Sequence, residues 1–392
     1  MERLYDRSSY EKEFTAVVTG CRETKERFAV TLDRTAFFPE GGGQPFDTGT
    51  LGNVTVLDVQ EIGGEVIHYT DGPLEVGSRV RGVLDWERRF SHMQAHSGEH
   101  IITGCIHNRF GYDNVGFHMG KEEITIDFNG VMTEEELDQI EREANRVVFA
   151  NLPIEVTVPD EETLKHMEYR SKKELTGNIR IATIPGVDVC ACCGTHVART
   201  GEVGLIKVLD MIHYKGGVRI SLLCGEKALD CVRKRQKQIA ELSVLLAAKR
   251  DDVVDAVRKL REEKQRLEGE VGRLHQAEAE RKAASMPDSD GPVAVFDEME
   301  PVQLRKYCTM LYEQGKGSIV LACSPKQNGG YSYVLGSSQS DMKAFSRKMN
   351  SRLEGKGGGS SLMAQGTFLA DREKIESVFY QCAEEECDEF DR

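Results

Sequence analysis

At 392 residues, 39% of them hydrophobic, the chain is long enough for two or three domains with real cores. No stretch nears the roughly 18 consecutive apolar residues of a membrane span, and "MERLYDRSSYEKEF" lacks the apolar run of a secretory signal, so a soluble, cytoplasmic protein with no membrane partner is expected. The net charge of −14 argues against indiscriminate nucleic-acid binding without excluding a local basic patch, and 11 cysteines, spread from Cys21 to Cys387, argue for reduced thiols over a disulfide framework.

The first 90 residues read as β structure. Short alternating runs, "FTAVVTG", "RFAVTLD", "GNVTVLDVQ", "EVIHYT" and "RVRGVLD", are punctuated by Gly, Asp and Pro, as antiparallel strands of a small barrel or sandwich would be. Between the second and third runs lies "DRTAFFPEGGGQPFDTG", whose three glycines, Gly41 to Gly43, free the backbone to approach a ligand or another segment closely. It reads either as a flexible loop or as a binding loop anchored by Phe37, Phe38 and Pro39.

From Trp86 the texture turns helical. "ERRFSHMQAHSGEHIITGCIHNRFG" sets His96 and His100 four residues apart on one helix face, where both can grip one metal ion. The other half of a site stands in "CACCGTH", residues 190–196, where Cys192 and His196 are also four apart. Together the two pairs make a three-imidazole, one-thiolate set suited to tetrahedral Zn²⁺, one per chain. Rival readings exist. Cys190 and Cys193 form a C-x-x-C, but no βαβ pattern surrounds it as in a thioredoxin-like redox protein. A cysteine nucleophile leaves His96 and His100 unexplained. "HSGEH" fits the H-x-x-E-H pattern of inverted zinc peptidases with Glu99 as general base, but such an enzyme gives the glycine-rich loop no role.

Residues 226–285 are a charged helical segment with neither Pro nor aromatic residues. Ile239, Leu246, Val253, Leu260, Leu267 and Leu274 recur every seven residues like one seam of a coiled coil, but the companion row Leu242, Lys249, Ala256, Glu263 and Glu270 is poor. With Asp251 or Asp252 as an N-cap, an antiparallel helical hairpin is expected, with one continuous helix as the alternative. After "MPDSDGP" strands and helices alternate again, and the run from 343 to 356 carries Lys343, Arg347, Lys348, Arg352 and Lys356 against Glu354 alone. The expected class is α+β multidomain: a small N-terminal β-barrel over 1–90, an α/β core with the metal site over 91–225, a helical hairpin or coiled-coil linker over 226–285, and a C-terminal α/β domain over 286–392.

Three motifs in this order, "TAFFPEGGGQPFDTG", "HSGEH" and "CACCGTHVARTGEVG", resemble the editing region of alanyl-tRNA synthetases and the free-standing AlaX proteins. Downstream, "GKGGGSSLMAQG" resembles the glycine-rich signature of the synthetases' C-terminal domain, so the likeness covers nearly the whole chain and points to the long AlaX form. It implies a trans-acting, ATP-independent hydrolase that removes serine, with glycine as a second candidate, from tRNA(Ala). No aminoacylation domain stands before the β region, so no charging activity is expected. The resemblance also implies substrate contacts from Thr35 and a pocket role for His118, with Gln44 nearby in the same loop. The glycine-rich loop, Gly357, Gly358 and Gly359, with the basic run beside it, is the expected RNA-binding surface, and a homodimer through this region is left open. Glu99, beside the ligands, reads either as a proton carrier or as a partner orienting His96. A non-catalytic tRNA-binding module is the remaining alternative.

Overall fold

The computed structural model describes residues 1–171, 179–327 and 329–390. They fall into two compact units, Met1–Leu242 and Ser243–Arg392.

The first unit opens with six antiparallel strands: β1 (Glu13–Glu23), β2 (Phe28–Leu32), β3 (Gly49–Leu51), β4 (Val54–Ile62), β5 (Glu65–Thr70) and β6 (Arg79–Leu84). They pair in the order β1-β2-β5-β4-β3-β6, and β6 pairs back onto β1, so the sheet closes into a ring. The two-residue side-chain period explains the core: Phe14, Ala16 and Val18 of β1 point inward with Val30, Leu32, Leu51 and Val66. Where the period slips in β4, a bulge between Val56 and Asp58 restores it, and both Val56 and Val59 stay inside.

Helix α1 (Trp86–Phe110) follows, capped at its start by the Asp85 carboxylate, which accepts from Arg88 N, and at its end by Gly111 in the left-handed region. Unlike an ordinary surface helix, it is buried along most of its length, and its buried residues include Arg89, His92, His96, Ser97, Glu99, His100 and Thr103. Interior polar side chains need partners, so such a helix marks a site. Strands β7 (Asn114–Met119) and β8 (Ile124–Phe128) come next. Helix α2 (Glu134–Ala150) opens on a Thr133–Glu136 capping box and buries Leu137, Ile140, Ala144 and Val148 at helical spacing. A three-stranded sheet joins β9 (Glu155–Thr157), β10 (Ile181–Ile184) and β11 (Asp188–Ala191). The last strands, β12 (Ile206–Tyr214) and β13 (Gly217–Cys224), complete a four-stranded sheet in the order β12-β13-β8-β7. Ile101 and Ile102 of α1, Ile140 of α2 and Ile126, Ile220 and Leu222 of this sheet share one core.

The segment expected to link the halves is two helices, α3 (Gly225–Leu245) and α4 (Val253–Ser285), separated by a short 3-10 turn at Arg250–Asp252, and the boundary between the units falls inside it. Asp252 occupies the N-cap position of α4, although its side chain makes no capping bond. Leu260, Leu267 and Leu274 of α4 are exposed at 60%, 46% and 63%. Their companions stand three positions earlier, not later: Val257 and Val271, also exposed, flank Lys264 on the same face.

In the second unit, strands β14 (Val293–Phe296), β15 (Val320–Pro325), β16 (Tyr331–Gly336), β17 (Lys356–Gly359) and β18 (Met363–Phe368) form a sheet in the order β14-β15-β16-β18-β17. Both faces are covered. Val320 and Ala322 pack with Ala279 and Ala283 of α4 and with α5 (Pro301–Glu313), whereas Leu321 and Cys323 pack with α6 (Met342–Leu353) and α7 (Arg372–Phe390). This two-sided burial is why β15 reads as an unbroken apolar run. The glycines at 357–359, expected to form a loop, are instead the exposed edge strand β17, because residues 356–359 pair antiparallel with β18. Glycine is needed there for close approach: a Cβ on Gly359 would lie 2.1 Å from Met363 O.

Candidate metal centre

Two elements converge on one point. Helix α1 supplies His96 and His100 on one face, and the turn after β11 supplies Cys192 and His196. Their donor atoms all lie within 4.8 Å of one another, and Nε2 of His96 and of His196 each stand 3.3 Å from Cys192 Sγ. The close approach depends on Gly194: a Cβ there would sit 2.0 Å from the His96 ring. Burial alone would raise the Cys192 thiol, but His96, His196 and His100 around it outweigh burial and bring it well below the ordinary thiol range. Burial lowers His196 to about 4. His100 is pulled down by burial yet rises well above its ordinary value, through the Cys192 charge and the hydrogen bond to Asp188.

Each imidazole has a partner on its other nitrogen. His96 Nδ1 lies 2.9 Å from Gln44 Oε1, and the same oxygen accepts from Thr195 N, which fixes the amide orientation and makes His96 Nδ1 the donor. His100 Nδ1 donates to Asp188 Oδ2 at 2.7 Å, and Arg170 holds that carboxylate with two bonds of 2.8 Å. His196 Nδ1 lies 3.2 Å from Ser97 Oγ, which also accepts from Val197 N. With Nδ1 of His96 and of His100 engaged outward, Nε2 is the ring atom each turns toward the thiolate, the atom through which a metal-binding imidazole would coordinate. Three nitrogens and one thiolate, each oriented, fit a tetrahedral, borderline-soft cation.

Of the residues expected to act here, Gln44 is in contact with the cluster. The loop that carries it lies against the cysteine turn and β7. A Cβ on Gly42 would meet Cys193 Sγ at 2.9 Å, Gly43 O accepts from Met119 N, and the Phe117 ring lies 5.3 Å from His96. Glu99 is buried; Oε1 accepts from Thr103 Oγ1 and Asn114 Nδ2, while Oε2 stands 3.8 Å from His100 Nε2. Thr35 is fully buried, bonded to His68 Nε2 at 2.8 Å and to Phe37 N. His118 is exposed on β7, opposite Thr125. In the second unit, Lys343, Arg347 and Lys356 are exposed, whereas Lys348 and Arg352 share the carboxylate of Glu385 at 2.6 and 2.8 Å. Asp188, Arg170, Ser97 and Thr195 escaped the sequence reading. The available signals were positional: Ser97 follows His96 directly, and Thr195 precedes His196.

Residues 179–222 match the family described as Threonyl and Alanyl tRNA synthetase second additional domain, and residues 6–88 match tRNA synthetases class II (A). The alanyl-tRNA editing protein Aarsd1 of Mus musculus is 34% identical over 278 residues, which cover 66% of this chain and 68% of that protein. AlaX-L of Pyrococcus horikoshii, also named an alanyl-tRNA editing protein, is 29% identical over 96% of this chain and 97% of its own length. An alanine–tRNA ligase of Methanoregula boonei is 33% identical over 93% of this chain and 41% of the ligase. Site and relatives together define an enzyme of the aminoacyl-tRNA hydrolase class. The chain belongs to the alanyl-tRNA editing protein family, of the AlaX type.

Among the described residues no helix is long and apolar enough to cross a membrane, and the cysteines from Cys21 to Cys382 carry free thiols.

Proposed function

We propose that the chain, acting in the cytoplasm, deacylates tRNA(Ala) mischarged with serine, and with glycine as a second substrate, by zinc-assisted hydrolysis of the aminoacyl ester. The observation that carries this reading is the convergence of three imidazoles on the Cys192 thiolate. Fidelity requires such a step, because a pocket built for alanine rejects an added hydroxyl by only about 10²-fold.

Zinc held by His96, His100, Cys192 and His196 would supply positive charge beside the scissile ester or its attacking water. The chain's own residues then divide the work. Gln44 and Asp188 hold the His96 and His100 rings through Nδ1, so that Nε2 is the atom each ring would turn to the metal. Glu99, held by Thr103 and Asn114, is the group available to take a proton at Oε2. Thr35 holds the start of the glycine-rich loop through Phe37 N and thereby shapes the wall that meets the serine hydroxyl. His118, on the exposed side of β7, meets the end of the tRNA.

The H-x-x-E-H peptidase reading is disfavoured, since Cys192 and His196 take the positions that a distant carboxylate and the substrate would need. In the second unit Lys343, Arg347, Lys348, Arg352 and Lys356, with the bare backbone of Gly357–Gly359, are assigned to the tRNA body. A homodimer through the C-terminal region is the accompanying expectation, which sedimentation analysis would detect.

The test incubates the protein with Ser-, Gly- and Ala-tRNA(Ala) and follows deacylation of each. Serine should be released fastest and alanine slowest. No release from any of the three would leave only a tRNA-binding module. Cys192→Ala and His100→Ala should lower bound zinc and deacylation together while tRNA binding stays largely intact, and stoichiometric zinc in Cys192→Ala by elemental analysis would remove that cysteine from the site.

A further inference from the structure

We propose that Asp188 and Arg170 form a positioning pair for His100, and that this pair makes His100 the most firmly oriented of the three imidazoles. The inference rests on the metal reading of the site.

The three imidazoles are not supported alike. His96 leans on the neutral amide of Gln44, and His196 on the hydroxyl of Ser97. Only His100 donates to a carboxylate, at 2.7 Å. An ionised acceptor makes a shorter and stronger bond than a neutral one and raises the electron density that the opposite nitrogen offers a metal. Asp188 is nearly inaccessible, its side chain only 2% exposed, so its charge needs a partner. Arg170 supplies it as a fork: Nε bonds Oδ1 and Nη2 bonds Oδ2, both at 2.8 Å. These contacts occupy both carboxylate oxygens, which makes Asp188 a support and not a fifth ligand. That distinction matters because His100, Asp188 and Cys190 also lie within 4.8 Å of one another.

The backbone holds the fork in place. Arg170 N donates to Val189 O and Arg170 O accepts from Ala191 N, both at 2.9 Å, so the arginine is fastened to one edge of β11 on either side of Cys190. The approach of β11 to α1 is built in as well. Gly104, one turn after His100, has Val187 O at 2.4 Å and Asp188 Cβ at 3.0 Å from where its own Cβ would be. Any larger residue there would push Asp188 away from His100. On the far side, Arg170 and Asp188 line a cleft of about 840 Å³ together with His107, Asn114 and Tyr169.

The test measures zinc affinity by chelator competition, and the visible spectrum of the Co²⁺-loaded protein, for the wild type, Asp188→Asn, Arg170→Gln, Arg170→Lys and Ser97→Ala, with circular dichroism to check the fold. Asp188→Asn should weaken zinc binding about 10- to 100-fold and shift the cobalt bands. Arg170→Gln should move both readouts the same way by less, Arg170→Lys should recover part of the loss, and Ser97→Ala should cost less than Asp188→Asn. If Asp188→Asn fails to fold, Arg170→Gln carries the test alone, since it leaves the carboxylate–imidazole bond in place. Wild-type zinc affinity and an unchanged cobalt spectrum in Asp188→Asn and Arg170→Gln would overturn the inference while leaving the metal reading intact. A wild-type chain that binds no divalent metal would overturn both.

Discussion

The two units treat charge in opposite ways. In the first, several ionised side chains are taken out of water together with their partners: Arg89 with Asp47, Asp188 with Arg170 and His100, Glu99 with Thr103 and Asn114. In the second, the basic side chains of α6 stand at the surface, and those that are paired share Glu385. Removing a partner in the first unit strands a buried charge, which is a matter of folding and site geometry. Removing one in the second merely changes what the surface offers to a polyanion.

The sharpest contrast comes from Arg89. Its guanidinium is fully buried, bonds Asp47 through Nε at 2.9 Å, and reaches Ser9 O, while Asp47 accepts from Phe38 N at the start of the glycine-rich loop. Arg89→Ala should destabilise the first unit by about 3–5 kcal/mol, because the Asp47 charge is left unpaired in the interior. Trp86 is the only tryptophan in the chain and sits one turn before Arg89, so its fluorescence in a urea titration follows the first unit alone. A midpoint within error of the wild type would contradict the contrast at its strongest point.

Next in size is an effect of acid. Burial lowers His68, in the core of the ring, from 6.5 to about 4. Above pH 6.5 the imidazole is neutral whether the chain is folded or not; between 6.5 and about 4 only the unfolded chain takes up the proton, so stability falls as the pH falls. The full loss is about 3 kcal/mol at 1.36 kcal/mol per pH unit. Burial lowers His92 in the same direction, to about 3. His68→Gln should therefore flatten, without abolishing, the decline of the Trp86-monitored stability between pH 6.5 and 4. An unchanged slope would show that His68 is not held neutral.

How much of this was legible in the sequence differs between the units for the same reason. The ligand pairs were readable because two residues four apart on a helix, or in one tight turn, are close by local geometry alone; Gln44 stood out inside a motif, but as a substrate contact, and its bond to His96 was not foreseen. Asp188 and Arg170 were not readable, since what brings them to His100 is the pairing of residue 170 with β11 and the missing side chain at Gly104, neither of which has a periodic signature. In the second unit, the sequence separation of 33 residues between Arg352 and Glu385 hid the pairing that neutralises part of the basic run. The glycines at 357–359 misled for a related reason: glycine marks both turns and close strand contacts, and only the partner strand decides which. The seam in α4 is legible in its seven-residue spacing, but its companion row lies three residues before each leucine and not three after.

The smallest expected effect tests the surface half of the comparison. Glu385 occupies Lys348 and Arg352 at once, with N–O distances of 2.6 and 2.8 Å, while Lys343, Arg347 and Lys356 stand exposed. If α6 meets the tRNA body, Arg347→Ala should weaken binding and make its salt dependence shallower by about 0.7–0.9 in the log–log slope for each phosphate that is no longer neutralised. Glu385→Gln should do the reverse: it frees two cations, so affinity at low salt should rise and the slope should steepen. Deacylation of bound substrate in a single turnover should be unchanged in both variants, because the metal ligands all belong to the first unit. Binding measured at several salt concentrations separates the cases. Equal slopes for wild type, Arg347→Ala and Glu385→Gln would remove α6 from the RNA-binding surface and leave Glu385 as a structural tie between α6 and α7.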